Sequence, residues 1–150
     1  MSDHDTSLLK TLEKAPRGHS IDAQTLIEAA RWGEDGLLPA VAQQFDSQEV
    51  LMMAWMSRET LAETLDTGRV CYWSRSRGRP WRKGESSGQV QMLESAWFDC
   101  DADTLLLKVD QTGPACHTGR RSCFYTQIDA EHARVQTAPL ISADALYGKN

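Results

Sequence analysis

Ala96-Trp97-Phe98-Asp99-Cys100-Asp101-Ala102-Asp103-Thr104-Leu105-Leu106-Leu107-Lys108-Val109-Asp110 sets two apolar runs on either side of an acidic knot. Both runs alternate in the manner of strands. Too little chain lies between them for a crossover helix, so the two must run antiparallel. Residues 89–93 and 122–128 alternate in the same way, and Gly113-Pro114 break the last two runs apart. The carboxyl-terminal half therefore reads as strand after strand.

The first half supplies helices. Ser20 is read as the cap of a helix over residues 21–32 with Gly33 as its stop. Residues 38–45 read as a strand, and residues 48–56 as either strand or helix. Ser57 caps a helix to about Asp66, closed by Gly68, with Met56 and Leu61 at staple positions. Residues 70–74 form a further strand by composition. The fold class expected is α+β, a largely antiparallel sheet with a few short helices. Three regions are expected: an N-terminal extension over residues 1–35 with one helix, a domain over residues 36–130, and an irregular tail over residues 131–150. Leu8, Leu9 and Leu12 suggest one helical turn within the extension.

The chain has 150 residues, 41% of them apolar, which suits one packed domain. Its net charge of −5 gives no general attraction to nucleic acid or anionic lipid. The acidic N-terminus and the lack of any long apolar run point to a cytoplasmic protein with no membrane contact. In a reducing compartment, Cys71, Cys100, Cys116 and Cys123 point to metal binding or catalysis before disulfides. Cys71 lies in an apolar strand and reads as buried and inert.

Extended backbone puts Asp99, Asp101 and Asp103 on one face and Cys100 on the other. Three like charges on one face call for a divalent cation, and oxygen ligands favour magnesium or calcium. The outer two would be ~13 Å apart on a straight strand, so a bend or bulge is expected here. A solvated acidic strand end is the rival reading. A calcium loop is disfavoured because Thr104 stands where that loop needs glycine.

Cys100, Cys116 and Cys123 do not have zinc-finger spacing. Their number suits a catalytic zinc, which takes three protein ligands and keeps a position open. Such a zinc lowers the pKa of its water to roughly 7. The rival reading is buried thiols. Cys100 faces away from its neighbouring carboxylates, so one pocket with both would draw on two subunits, and a dimer is expected. His117 suits proton transfer, a fourth ligand position or a structural role. The loop over residues 74–88 holds Arg75, Arg77, Arg79, Arg82 and Lys83, with Trp73 just before it and Trp81 within it as aromatic residues. It fits nucleotide phosphates or single-stranded nucleic acid, and the acidic chain favours the small ligand. Arg120 and Arg121 are candidates for the same patch.

Taken together, Cys71-Tyr72-Trp73-Ser74-Arg75-Ser76-Arg77, residues 81–88, Asp99-Cys100-Asp101-Ala102-Asp103, Ala115-Cys116-His117-Thr118-Gly119 and Ser122-Cys123-Phe124 resemble the phosphoribosyl-AMP cyclohydrolase family. Pro80 and Arg82 depart from the residues expected in that loop. The resemblance implies the third step of histidine biosynthesis, hydrolysis of the N1–C6 bond in the adenine ring of phosphoribosyl-AMP. It implies an intertwined homodimer using zinc and magnesium, with metal sites shared between subunits. Zinc then falls to Cys100, Cys116 and Cys123, and magnesium to Asp99, Asp101 and Asp103. His117 is the expected catalytic proton carrier, and Arg75, Arg77 and Lys83 the expected phosphate contacts. No second domain is expected before Asn150, so a single activity is anticipated. The competing classes are a metal-stabilised nucleotide or single-stranded nucleic-acid binder without catalysis, and a purely structural metalloprotein.

Overall fold

The computed structural model describes residues 3–147, with side chains from residue 7 onward. The outermost residues of both expected tails lie outside that range. Six strands form one sheet in the order β4-β3-β2-β1-β6-β5. They are β1 (Leu37–Gln44), β2 (Val50–Ser57), β3 (Cys71–Ser74), β4 (Arg79–Arg82), β5 (Gln91–Phe98) and β6 (Leu105–Gln111). The fold is α+β, as expected, and the sheet is mixed. The β1–β6 pair is parallel, with Ala40 opposite Leu105 and Gln44 opposite Val109, while its neighbours are antiparallel. Because β6 inserts beside β1 after a long excursion of chain, local pattern carries no signal of that pairing.

The sheet curls back on itself. Val70 N–H donates to the Gln91 carbonyl at 3.0 Å and Leu93 N–H to the Gly68 carbonyl at 2.7 Å. These bonds bring the start of β5 to the start of β3. The curl encloses Leu38, Leu51, Met56, Tyr72, Leu105 and Leu107, all nearly inaccessible. Helix α3 (Arg58–Thr67) closes one side with Leu61. Ser57 caps it through a full capping box with Thr60, and Gly68 ends it at φ 78°, both as expected. The stretch left open between strand and helix is strand from Val50 to Ser57, with Leu51, Met52 and Met56 buried.

Several expectations are corrected. Helix α2 (Ala23–Ala29) is capped by Asp22, whose carboxylate accepts from Thr25 N–H, and Ser20 lies outside it. The helix ends at Ala30, which turns extended, before Gly33 is reached. The N-terminal stretch forms an eleven-residue helix, α1 (Asp3–Glu13), in place of a single turn. Leu9, Ile27 and Ala30 belong to the same core as the sheet. The basic loop contains strand β4, paired with β3 through Tyr72 opposite Trp81. Residues 89–93 and 96–101 merge into β5, which bulges between Leu93 and Ser95. Only Thr126–Ile128 (β7) of the last expected strand is extended, and it pairs with β8 (Ala133–Val135) away from the main sheet. The tail also carries α4 (Ala143–Leu146), with Leu146 buried. Among the described residues no helix is long and apolar enough to cross a membrane.

Candidate active site

β5 ends at Phe98, and residues 99–103 turn the chain into β6. The straight-strand placement of the three aspartates is thus replaced by the expected bend. The Asp99 carboxylate accepts from Asp103 N–H at 3.0 Å and from Thr104 N–H at 3.3 Å. Ala102, buried at 1% exposure, takes φ 53° to complete the turn. Curling brings the Asp99 and Asp103 carboxyls together, and the Asp103 pKa is raised by the hydrogen bond to Asp99, then by desolvation and by the charge of Asp99. Asp101 stays exposed at the tip, with the Cys100 thiol 3.9 Å from its Oδ1. Asp99 and Asp103 thus offer two neighbouring oxygen donors of the kind a hard divalent cation takes, and Asp101 does not converge with them on one point.

Cys116 and Cys123 meet at the other end of the sheet. Cys116 lies in a tight loop in which Gly119 N–H donates to its carbonyl. Cys123 is brought in by its N–H on the Leu51 carbonyl at 2.7 Å. The two thiols lie near enough for each to shift the other's pKa. Cys123 is exposed as a residue, yet desolvation around its sulfur, helped by Cys116, pushes the thiol up to about 12. Burial raises Cys116 too, but hydrogen bonds from Thr118, together with the nearby Cys123 thiol, outweigh it and the net shift is downward. The Thr118 Oγ1 donates to Cys116 Sγ at 3.1 Å. A pair of thiols with one shifted toward thiolate suits a soft cation such as zinc.

Cys100 does not join them within one chain. Phe98 pairs with Leu105 at the acidic end of β6, while the thiol loop hangs from Gln111 at the other end. The seven residues of β6 span roughly 20 Å. Among the described residues, no three His, Cys, Asp or Glu side chains are grouped closely enough to hold a metal.

Arg121 is the residue most misplaced by sequence reasoning. It turns inward to anchor the thiol loop. Its Nη1 donates to the Gln111 carbonyl at 2.9 Å and to Gly113 at 2.5 Å, and its Nη2 to Gln44 Oε1 at 2.7 Å. Arg120 stacks over Tyr125 and donates to the Thr137 carbonyl at 2.6 Å. His117 is exposed beside Cys116.

Lys83 is also buried, at 9% exposure. Its Nζ donates to the Ala115 carbonyl at 2.6 Å and lies 5.9 Å from the centre of the Trp81 ring. Burial lowers its pKa, partly opposed by the negative character of Cys123 and Cys116. It therefore faces the thiol pair. Arg82 pairs in a fork with Glu63, at 2.8 and 2.7 Å. Arg75 stands over the Trp55 ring at 4.5 Å. Arg77 lines a cleft of about 400 Å³ together with Ser74, Ser76, Trp81 and Lys83. Tyr147 lines it too, and the uninformative composition of the tail gave no warning of that contribution. Cys71 is fully buried, its thiol pushed up to about 12 by desolvation, as an inert cysteine should be.

The family model described as phosphoribosyl-AMP cyclohydrolase matches residues 52–125. Curated relatives carrying that description match nearly the whole chain. The one from Chromohalobacter salexigens is 64% identical over 96% of this chain and 99% of its own. Those from Alkalilimnicola ehrlichii and Hydrogenovibrio crunogenus are 62% and 60% identical, each over 93% of this chain and over 99% and 95% of their own.

Proposed function

The chain belongs to the phosphoribosyl-AMP cyclohydrolase family of histidine biosynthesis, and on that premise we propose how its residues open the adenine ring. The substrate is phosphoribosyl-AMP. Ribosylation at N1 leaves C6 electron-poor, so water adds there and the N1–C6 bond opens. Zinc deaminases attack the same adenine carbon, but there an exocyclic amine leaves. Here the ring nitrogen leaves and stays tethered.

The observation that carries the proposal is the separation of the thiols. Cys116 and Cys123 make a pair at one end of β6, and Cys100 lies about a strand length away. A second copy of the chain offers its Cys100 to that pair without unfolding either. The homodimer with shared metal sites follows from this reading. Cys116 and Cys123, with Cys100 from a second copy, would hold a zinc ion, and such a zinc would make a water available at neutral pH by lowering its pKa to roughly 7. Asp99, Asp101 and Asp103 are the donors for magnesium, and because the chain turns there, with Cys100 Sγ 3.9 Å from Asp101 Oδ1, one subunit can bring Cys100 and the aspartates to the shared pocket together.

His117 projects into solvent next to Cys116, where it can pass a proton to the departing ring nitrogen. Arg77 holds phosphate in the cleft, where its guanidinium matches phosphate oxygens in a fork. Arg75 stands outside the lining and is a weaker candidate for that role. Lys83 serves the thiol pair.

Cys116→Ala tests the reading. The variant is expected to lose turnover and zinc while remaining a folded dimer by light scattering. Full activity in that variant would end the zinc role, and an active monomer would end the shared site.

A further inference from the structure

The C-terminal residues do more than trail from the sheet. Gln136 N–H donates to the Tyr125 carbonyl at 2.8 Å, and Leu140 N–H to the Gly119 carbonyl at 2.8 Å. Arg120 holds the Thr137 carbonyl between these two bonds. Gly119, at φ 85°, lies so close beneath this strap that a Cβ there would run into the Ile141 carbonyl oxygen. Ser142 then caps α4 by accepting from Ala145 N–H at 3.0 Å, and Leu146 anchors it in a buried position. The next residue, Tyr147, reaches the wall of the cleft that holds Arg77.

The chemistry of that cleft is lopsided without the strap. Arg77, Ser74, Ser76 and Ser86 supply charge and hydrogen bonds. Its other aromatic, Trp81, is half-buried and already engaged. Tyr72 lies 5.1 Å from the Trp81 ring centre, and the Lys83 ammonium 5.9 Å from it. Tyr147 is 43% exposed. A nucleotide has an anionic end and a flat π face, and the second needs an aromatic platform.

We propose that Tyr147 is a substrate-binding residue, an aromatic wall carried by the C-terminal strap that stacks on the nucleotide whose phosphate Arg77 holds. This rests on reading the cleft as the nucleotide site. The ring face is the active part, since the cleft already has polar donors in surplus. The strap also ties the cleft to the thiol loop through Gly119, so one segment sets the distance between them.

Steady-state kinetics of the full-length zinc- and magnesium-loaded enzyme with phosphoribosyl-AMP test the proposal, using Tyr147→Ala, Tyr147→Phe and Arg77→Ala. Tyr147→Ala is expected to raise KM about tenfold or more, to change kcat less than twofold, and to leave the melting temperature unmoved. Tyr147→Phe should recover most of the lost affinity. An unchanged KM in Tyr147→Ala overturns the role of Tyr147, as does a loss confined to kcat or accompanied by a lower melting temperature. Arg77→Ala separates the two readings. If it raises KM while Tyr147→Ala does not, the cleft stands and the Tyr147 inference falls. If neither variant raises KM, the nucleotide site lies elsewhere and both fall.

Discussion

The Lys83 ammonium donates to the carbonyl oxygen of Ala115 at 2.6 Å, one residue before Cys116. A buried cation is thereby fixed against the thiol loop, where it compensates negative charge on sulfur. Lys83→Met keeps the volume and removes the charge. Leaving the Ala115 carbonyl unpaired should cost about 1–3 kcal/mol of stability. Zinc affinity and kcat should fall by about 10–100-fold, the usual cost of losing a group that supports metal ligands. KM should change little. A rise in KM alone, with zinc retained, would return Lys83 to the phosphates.

The four cysteines should separate by alkylation. Cys71 is fully buried with its thiol pushed up to about 12, so it should stay unmodified in the native protein at neutral pH. Cys100 is exposed in the single chain. Mass spectrometry after iodoacetamide treatment should find Cys100 labelled in chelator-stripped protein and shielded once zinc is restored. Equal labelling of Cys100 with and without zinc would argue against its place in a shared site.

Acid should loosen the support of the basic hairpin. Arg82 hydrogen-bonds Glu63 and holds that carboxyl below its ordinary value of 4.5. A lowered carboxylate pKa contributes stability that is present above the unfolded value and lost as pH falls through the folded one. Glu63→Gln should therefore lower the melting temperature slightly near pH 7. The gap to the parent protein should close as pH falls below about 4. Thermal melts from neutral to acid pH check this, and a gap that widens in acid would contradict it. The effect is small because both side chains are partly exposed.

Where the chemistry is local, the sequence is readable. Ser57 caps its helix because the serine, the staple and the closing glycine all lie within thirteen residues. Cys71 is buried because its neighbours are apolar. Other features depend on distant chain. The parallel β1–β6 pair and the inward turn of Arg121 onto Gln44 and Gln111 are invisible to local pattern. β4 is hidden because arginines and a proline occupy a strand whose partner alone makes it extended. Asp22 displaced Ser20 as a cap, two capping residues in one short stretch being indistinguishable by type. The strap with Tyr147 had no periodicity to betray it. The alternation of side chains set Cys100 apart from the aspartates, whereas the structure sets it apart from the other two thiols and leaves it 3.9 Å from Asp101 Oδ1. The chain turns at Asp99, and the length of β6 keeps the thiols apart.

The ultraviolet spectrum of phosphoribosyl-AMP during incubation with the purified protein tests the central claim most directly. Ring opening should change the absorbance steadily, stop when a zinc chelator is added, and resume when zinc is returned. A spectrum that never changes, or one that changes at the same rate with the chelator present, would contradict a metal-dependent opening of the purine by these thiols.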